Sequence, residues 1–400
     1  MSGTIFLSRN ARMVVLWEGG VSASNRFEIP ILEGFSFSQS TNTAEVTLSE
    51  ATSSGISRRG RKVFNNSLAP VEFSFQTYVR PFKSGGSGVS GHAIDVQHSS
   101  SAVEAVLWAM MAGADTYDPT TTGLFDRVAA PAGAVVTSGT TDASTAASLN
   151  VSFGQSNIPQ LYTTADILFE IEEEDGSGVI TYLLDEAVIN EATIDFDIEG
   201  IATISWSGMA KSITEGTAAV TSTVNEGTGI DGKSSANFIQ NRLSTLTIDG
   251  SSAKNNTAIA DSYDLTLTGG SITISNNLTF LTPEEIGRVN APIGHVTGTR
   301  NVTGTLTCYL DQKAGGSADL FEDISQSTTD IVNEFNISIN IGGTTGPCLI
   351  IDVDHANFQI PTHSFDDVVS VEVTFDGLPG SMDTADEVSL EYKTSTTTLS

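Results

Sequence analysis

Carboxylates recur at alternate positions in two stretches of this sequence. Glu170 and Glu172 alternate with Phe169 and Ile171, and Asp195, Asp197 and Glu199 alternate with Ile194, Phe196 and Ile198. Close carboxylate pairs can serve as acid and base, as in glycoside hydrolysis. Catalytic pairs normally sit in clefts among aromatic and polar groups, and these rows do not. Alternate residues of a strand share a face, so each stretch reads as a wetted strand with carboxylates outward and apolar residues toward a core. His355 and His363 could be imagined around zinc with Cys348 or Asp352, but the plainer reading is a pair of exposed or hydrogen-bonded histidines. Glu172–Asp175 and Asp352-Val-Asp354 offer oxygen atoms for calcium, which needs six to eight arranged by a loop. At a hairpin end such acids are commonly just solvated. Gly227-Thr-Gly229-Ile-Asp-Gly232 matches G-x-G-x-x-G, but a dinucleotide site needs strand–turn–helix context that is missing here. No G-x-S-x-G, H-E-x-x-H, Walker or EF-hand pattern occurs. The expectation is a protein without catalysis, cofactor or metal.

The elements that carry these residues come twice. Gly178–Met209 and Pro347–Leu378 align without a gap, Asp185 on Asp354, Thr193 on Thr362, Asp197 on Asp366, Ile204 on Val373 and Gly208 on Gly377. Upstream, Val71–Val79 is echoed by Val302–Leu310, and Gly34-Phe-Ser-Phe-Ser by Ser271-Ile-Thr-Ile-Ser. Two copies in one order point to a duplicated domain. The expected division is a first domain over 1–217 with an insertion at 114–157, a linker over 218–236, a second domain over 237–380 and a C-terminal arm or tail over 381–400.

Composition fits such a chain. Hydrophobic residues make up 39% and charged residues only 16%, with Ser, Thr, Gly, Asn and Ala filling the gap, which suits many short strands with polar outer faces. The net charge is −30, split as −14 over 1–215 and −16 over 216–400. Sequence-specific nucleic-acid binding needs Lys and Arg to neutralise phosphates, so this class is excluded, although an acidic surface can meet DNA by repelling it. No apolar run approaches a membrane span, and Met1-Ser-Gly-Thr does not open a secretory signal. Two cysteines make no disulfide framework, and Cys308 alternates with Leu306 and Leu310 on an apolar face.

Within the first copy, Ser53–Asn66 holds Arg58, Arg59, Arg61 and Lys62. Its Gly and Ser residues make it a loop, either solvated or in contact with an acidic neighbour such as a second copy of the chain. Val71–Val79 is the clearest strand. Ser101–Gly113 reads as a helix, with a Ser101/Glu104 capping box and a Gly113 stop. The matching helix is Ser317–Ser325. Trp17, Trp108 and Trp206 read as internal.

The run RRGRKVFNNSLAPVEFSFQTYVRPF, followed by the helix SAVEAVLWAMMAG, resembles the tail tube proteins of long-tailed bacteriophages. The resemblance extends over both halves. It implies a mainly β fold: two tandem β-sandwich domains, each with a flanking helix, contributing to an inner β-barrel on assembly. In that family six domains close a ring, and rings stack into a tube whose acidic lumen conducts DNA. With two domains per chain, three chains would suffice. The resemblance places Arg58, Arg59, Arg61 and Lys62 on a subunit-contact loop, and makes Glu170, Glu172, Asp195, Asp197 and Glu199 candidate lumen acids. It implies other copies of the chain as partners, the tape-measure protein and DNA transiently in the lumen, and terminator and baseplate proteins at the ends. It implies a place in the virion tail, after synthesis in the host cytoplasm, and no membrane. Two other readings stay open: a carbohydrate- or cell-surface-binding β-sandwich, and a ring of a baseplate or secretion system.

Overall fold

The computed structural model describes residues 6–18, 25–47, 53–55, 61–80, 83–84, 100–101, 104–118, 124–129, 148–154, 161–173, 178–198, 200–216, 220, 239–250, 262–282, 286, 290–325, 335–343, 348–365 and 367–393. Arg58, Arg59, Glu199, the glycine motif at 227–232 and most of the linker lie outside them.

The fold is mainly β. The first half contributes β1 (Phe6–Trp17), β2 (Arg26–Ile29), β3 (Ser36–Thr47), β4 (Arg61–Tyr78), helix α1 (Ala105–Ala112), β5 (Ser148–Ser152), β6 (Ala165–Glu173), β7 (Val179–Asp197), β8 (Thr203–Ala210) and β9 (Ser212–Glu215). The second contributes β10 (Thr245–Asp249), β11 (Leu267–Ser275), β12 (Thr279–Leu281), β13 (Gly294–Val296), β14 (Asn301–Tyr309), α2 (Ser317–Ser325), β15 (Phe335–Ile341), β16 (Cys348–Phe358), β17 (Thr362–Phe365), β18 (Val369–Gly377) and β19 (Ser389–Lys393).

Alternation decides the strands. On β4, Val71, Phe73, Phe75 and Thr77 are buried while Glu72, Ser74 and Gln76 are exposed. Thr77 is tolerated inside because its hydroxyl accepts a hydrogen bond from Trp206 Nε1 at 3.0 Å. All three tryptophans are buried. Both cysteines are free and buried, and burial pushes the Cys308 thiol up to about 11.

The same succession of pairings occurs in each half. β3 pairs with β4, β4 with β8 and β8 with β7. In parallel, β11 pairs with β14, β14 with β18 and β18 with β17. The beginning of β7 pairs instead with β6 and β9, in a second layer that includes β1 and β2. A register shift between Ile189 and Glu191 lets this single strand pass from one layer to the other. Its counterpart is cut into β16 and β17 around Pro361, which cannot donate to a ladder.

The ungapped repeat alignment is corrected by two residues at its edges. Ile204 lies opposite Thr77 and Ile194, whereas Val371 lies opposite Cys308 and His363. Val371, not Val373, therefore fills the slot of Ile204. The chain between β17 and β18 is two residues shorter than that between β7 and β8. By the same reasoning Phe37 corresponds to Ile272, not Ile274. One position shows why letter matching misleads. Gly208 faces Phe73 on β4, and the ring occupies the space a Cβ would need; in the second half Gly304 on β14 lies under Phe375 of β18. Glycine and aromatic have exchanged strands.

Part of the 114–157 insertion and part of the C-terminal segment belong to the core. Strand β5, within the 114–157 insertion, pairs with β19, which also pairs with β16. Leu149, Val151, Phe153, Leu390 and Tyr392 are buried. Residues 389–393, expected in a tail, thus form a central strand that joins the two halves; 394–400 lie outside the described residues.

Helix α1 is shorter than expected, and the Ser101/Glu104 capping box does not form: Ser101 lies in a short strand and no side chain caps the helix. Gly113 closes it in the left-handed conformation, as expected. The helix is buried on every side, so apolar residues surround it rather than forming one stripe. Trp108 packs edge-on against Trp206 at 4.7 Å and donates to the Tyr392 hydroxyl at 2.7 Å. Burial pushes the Glu104 carboxyl up to about 8, against the opposing pull of backbone hydrogen bonds and the Arg80 charge. Between its ordinary 4.5 and about 8, the folded chain holds a proton that the unfolded chain releases, so this residue makes stability fall as pH rises. Glu104→Gln is expected to raise the melting temperature at pH 8 and to leave it nearly unchanged at pH 4, measured by calorimetry.

Candidate assembly site

Eight strands form one continuous sheet in the order β3-β4-β8-β7-β11-β14-β18-β17. Its centre is the seam between the halves, where β7 pairs antiparallel with β11 from Glu191↔Ser275 to Asp197↔Gly269. Thr193 and Thr273 bring their hydroxyls to 2.9 Å across it. Asn276 N–H donates to Asn190 O at 2.8 Å and Ile198 N–H to Thr268 O at 3.1 Å, so the even-numbered residues of β7 bond across the seam.

At its two ends the sheet has edges without a strand neighbour among the described residues: β3, and β17 at the other side. These are the counterparts of the two strands that meet at the seam, β3 of β11 and β17 of the end of β7. An unpaired edge is a template for another chain.

The sheet's outer face is polar. Exposed or half-exposed positions carry Ser74, Gln76, Ser205, Ser207, Thr303 and Thr305, with carboxylates at Glu72, Glu191, Asp195, Asp197, Glu372 and Asp376. Asp195 is exposed on this face, yet partial burial raises its carboxyl. Asp197 is exposed and accepts the Gly200 N–H, closing the turn into β8. Glu170 departs from its expected outward position. It lies on β6 in the other layer, is buried, binds Arg12 at 3.0 Å and accepts Val220 N–H at 2.5 Å. Arg12 completes the site by donating to Val220 O at 2.9 Å. Glu172 is exposed but also belongs to β6. The two rows of acids therefore do not share a face.

Arg61 and Lys62 are not in a loop. They open β4, whose first ten residues pair with β3 in a two-stranded arm, bridged near its base by Asn290 beside Ser67. Arg61 reaches Glu45 at 3.3 Å in an exposed pair, which contributes little to stability. The equivalent segment of the second half, the β12–β13 hairpin, folds back onto the first half. Leu278 and Phe280 pack on Val188 and Tyr162, and Leu278 N–H donates to Asn190 Oδ1 at 2.7 Å.

Beneath this hairpin lies a cluster that alternation does not disclose. The buried Arg300 guanidinium donates to Asn276 Oδ1 at 3.1 Å, Phe153 O at 3.2 Å, Ala385 O at 3.1 Å and Tyr162 Oη at 3.1 Å, with Glu387 at 3.7 Å. Asn276 in turn donates to Met111 O at 2.9 Å. His295 accepts Tyr162 N–H at 2.9 Å, and its burial lowers its pKa. The set ties the insertion, the first half and the second half together.

His363 packs edge-on against Phe321 at 4.8 Å. Among the described residues no group of three or more His, Cys, Asp and Glu could hold a metal ion, and no helix is long and apolar enough to cross a membrane.

A family model described as phage tail tube protein matches residues 78–377. The chain belongs to the phage tail tube protein family. Tail tube protein pb6 of Escherichia phage T5 is similar to it, 30% identical over 397 residues that cover 95% of this chain and 74% of the relative. A solved chain from the tail of an empty GTA particle, determined with C6 symmetry, covers 34% of this chain and 92% of its own length at 11% identity and a TM-score of 0.24. This tail tube protein is a structural component of the phage virion that self-assembles into a tube.

Proposed function

We propose that the tail tube protein arose by duplication of one tube domain and closes rings through the free edges of its eight-stranded sheet. The β7–β11 seam carries this reading, because it joins the counterpart of one free edge to the counterpart of the other. Transferring its register sets Thr362 of one chain opposite Ser38 of the next, His363 opposite Phe37 and Ser364 opposite Ser36. A contact between two different edges is heterologous and closes when the rotation returns to its start. In the family, six domains close a ring. Three chains of eight strands each would then form a barrel of twenty-four, wide enough to hold an aqueous channel.

The polar outer face becomes the lumen wall. Its acids are Glu72, Glu191, Asp195, Asp197, Glu372 and Asp376, a revision of the sequence-based set. Like charge keeps the DNA backbone from adhering, and Ser and Thr hold water between them. The lumen would carry the tape-measure protein and then DNA. Terminator and baseplate proteins would meet the ends.

Negative-stain microscopy with native mass spectrometry tests the reading. Rings of three 42.0 kDa chains, about 126 kDa, or hollow tubes built of them are expected. A chain that stays monomeric at high concentration would overturn it.

A further inference from the structure

Helix α1 belongs to the first half, but both ends of the chain cover it. Its Trp108 packs on Trp206 of β8, meets Phe153 edge-on at 6.2 Å and donates to the Tyr392 hydroxyl. Every residue of this apolar helix is buried, so each cover is needed to keep it from water. One cover is the β4-β8-β7 sheet of the first half. Another is the sheet β5-β19-β16, in which β19 is the middle strand. Two rows of buried side chains cross it, Leu149–Tyr392–Leu349 and Val151–Leu390–Ile351.

The two neighbours of β19 differ in what they keep without it. β16 still pairs with β15 from Phe335↔Ala356 to Ile341↔Leu349. Among the described residues β5 keeps only Asn150↔Ala129 and Val151↔Val128, against a strand of two residues. So small a pairing is marginal in water. The second half therefore presents a ready edge on β16, and β5 gains a lasting place only once β19 lies on that edge. The approach to β19 is fastened too: Arg300 donates to Ala385 O at 3.1 Å, with Glu387 at 3.7 Å.

We infer that β19 is a closing strand: residues 389–393 fill the groove between β5 and β16, and until they do the first half is not competent to join a ring. Synthesis separates β5 from β19 by some 240 residues, roughly 12–48 s at about 5–20 residues per second. The edge strand β3 is made earlier still, and an open edge can join unfinished chains. A sheet must bury its apolar face against a finished second layer to hold its shape. The need for β19 thus delays edge pairing until the chain is complete. The consequence for assembly rests on the ring reading proposed above; closure of the core by β19 does not.

Met382 is fully exposed in the connection between β18 and β19, so a protease site inserted after it in the full chain provides the test. Cutting the folded protein is expected to leave fragment 383–400 bound. Separated in denaturant, 1–382 is expected to refold without the near-ultraviolet circular dichroism of packed tryptophans and to form no rings. Adding peptide 383–400 should restore that signal saturably, together with rings of about 126 kDa. The same peptide carrying Leu390→Asp/Tyr392→Asp should restore neither. Recovery of the signal and the rings by 1–382 alone would overturn the inference. So would failure of the unaltered peptide under conditions in which the uncut chain refolds. A signal restored by the peptide without rings, matched by an uncut chain that also forms none, would count instead against the ring reading.

Discussion

His363→Pro is expected to leave the subunit folded and to abolish rings. In the seam between the halves, the even-numbered residues of β7 donate to β11, as Ile198 donates to Thr268. His363 corresponds to Ile194, so its N–H points to the free edge rather than to β18. Proline is tolerated on an edge strand whose N–H faces solvent, but it removes the donor a neighbouring chain would need. The variant should run as a 42 kDa monomer with the unfolding temperature of the parent. The same change at Ile194, a fully buried residue in the internal seam, should destabilise the chain, because proline in the middle of a sheet removes a ladder hydrogen bond. Rings of normal mass from His363→Pro would show that β17 does not mediate closure.

Arg300→Ala is expected to cost about 3–5 kcal/mol, the usual penalty for leaving a buried charge without its partner. The guanidinium makes bonds to Asn276, Phe153, Ala385 and Tyr162 and stacks over the Phe153 ring at 5.0 Å. Its removal strands Glu387, whose carboxyl is already raised by burial and is pulled back down by Arg300. Adding Glu387→Gln should recover part of the loss, because the uncompensated carboxylate goes with it. Chemical denaturation of the parent and the two variants measures both effects. A loss below about 1 kcal/mol for Arg300→Ala would mean that the halves are held by apolar packing alone.

Much of this architecture can be read from alternation. Val71–Val79 gives its buried and exposed faces residue by residue, and the repeated order of strands gives the two halves. What cannot be read is register. A strand repeats every two residues, so sliding Val371 to the place of Val373 leaves every side chain on its proper face. Only the ladder partners Thr77 and Cys308 distinguish the two alignments. Alternation also failed at Glu170, because a half-buried base from β1, Arg12, offsets the usual cost of turning a carboxylate inward. The Ser101/Glu104 spacing satisfied a capping rule, yet Glu104 is used in the core beside Arg80 and Tyr392. Arg300 gave no local signal, since its partners lie 24, 138 and 147 residues upstream and 85 downstream. Strand β19 likewise became core through pairing with β16 and with an insertion some 240 residues away.

The most direct measurement is a cross-link at the transferred register. In the internal seam the Thr193 and Thr273 hydroxyls are 2.9 Å apart, and their counterparts at the free edges are Thr362 and Ser38. Facing residues of an antiparallel pair have Cα atoms about 4.5–5.5 Å apart, within disulfide range. The two native cysteines are buried and leave the assay clear. Ser38→Cys/Thr362→Cys assembled and oxidised should give, on a non-reducing denaturing gel, linked species that end at three chains. A ladder that continues past three, or a protein that stays unlinked although it forms tubes, would contradict closure of three chains through β3 and β17.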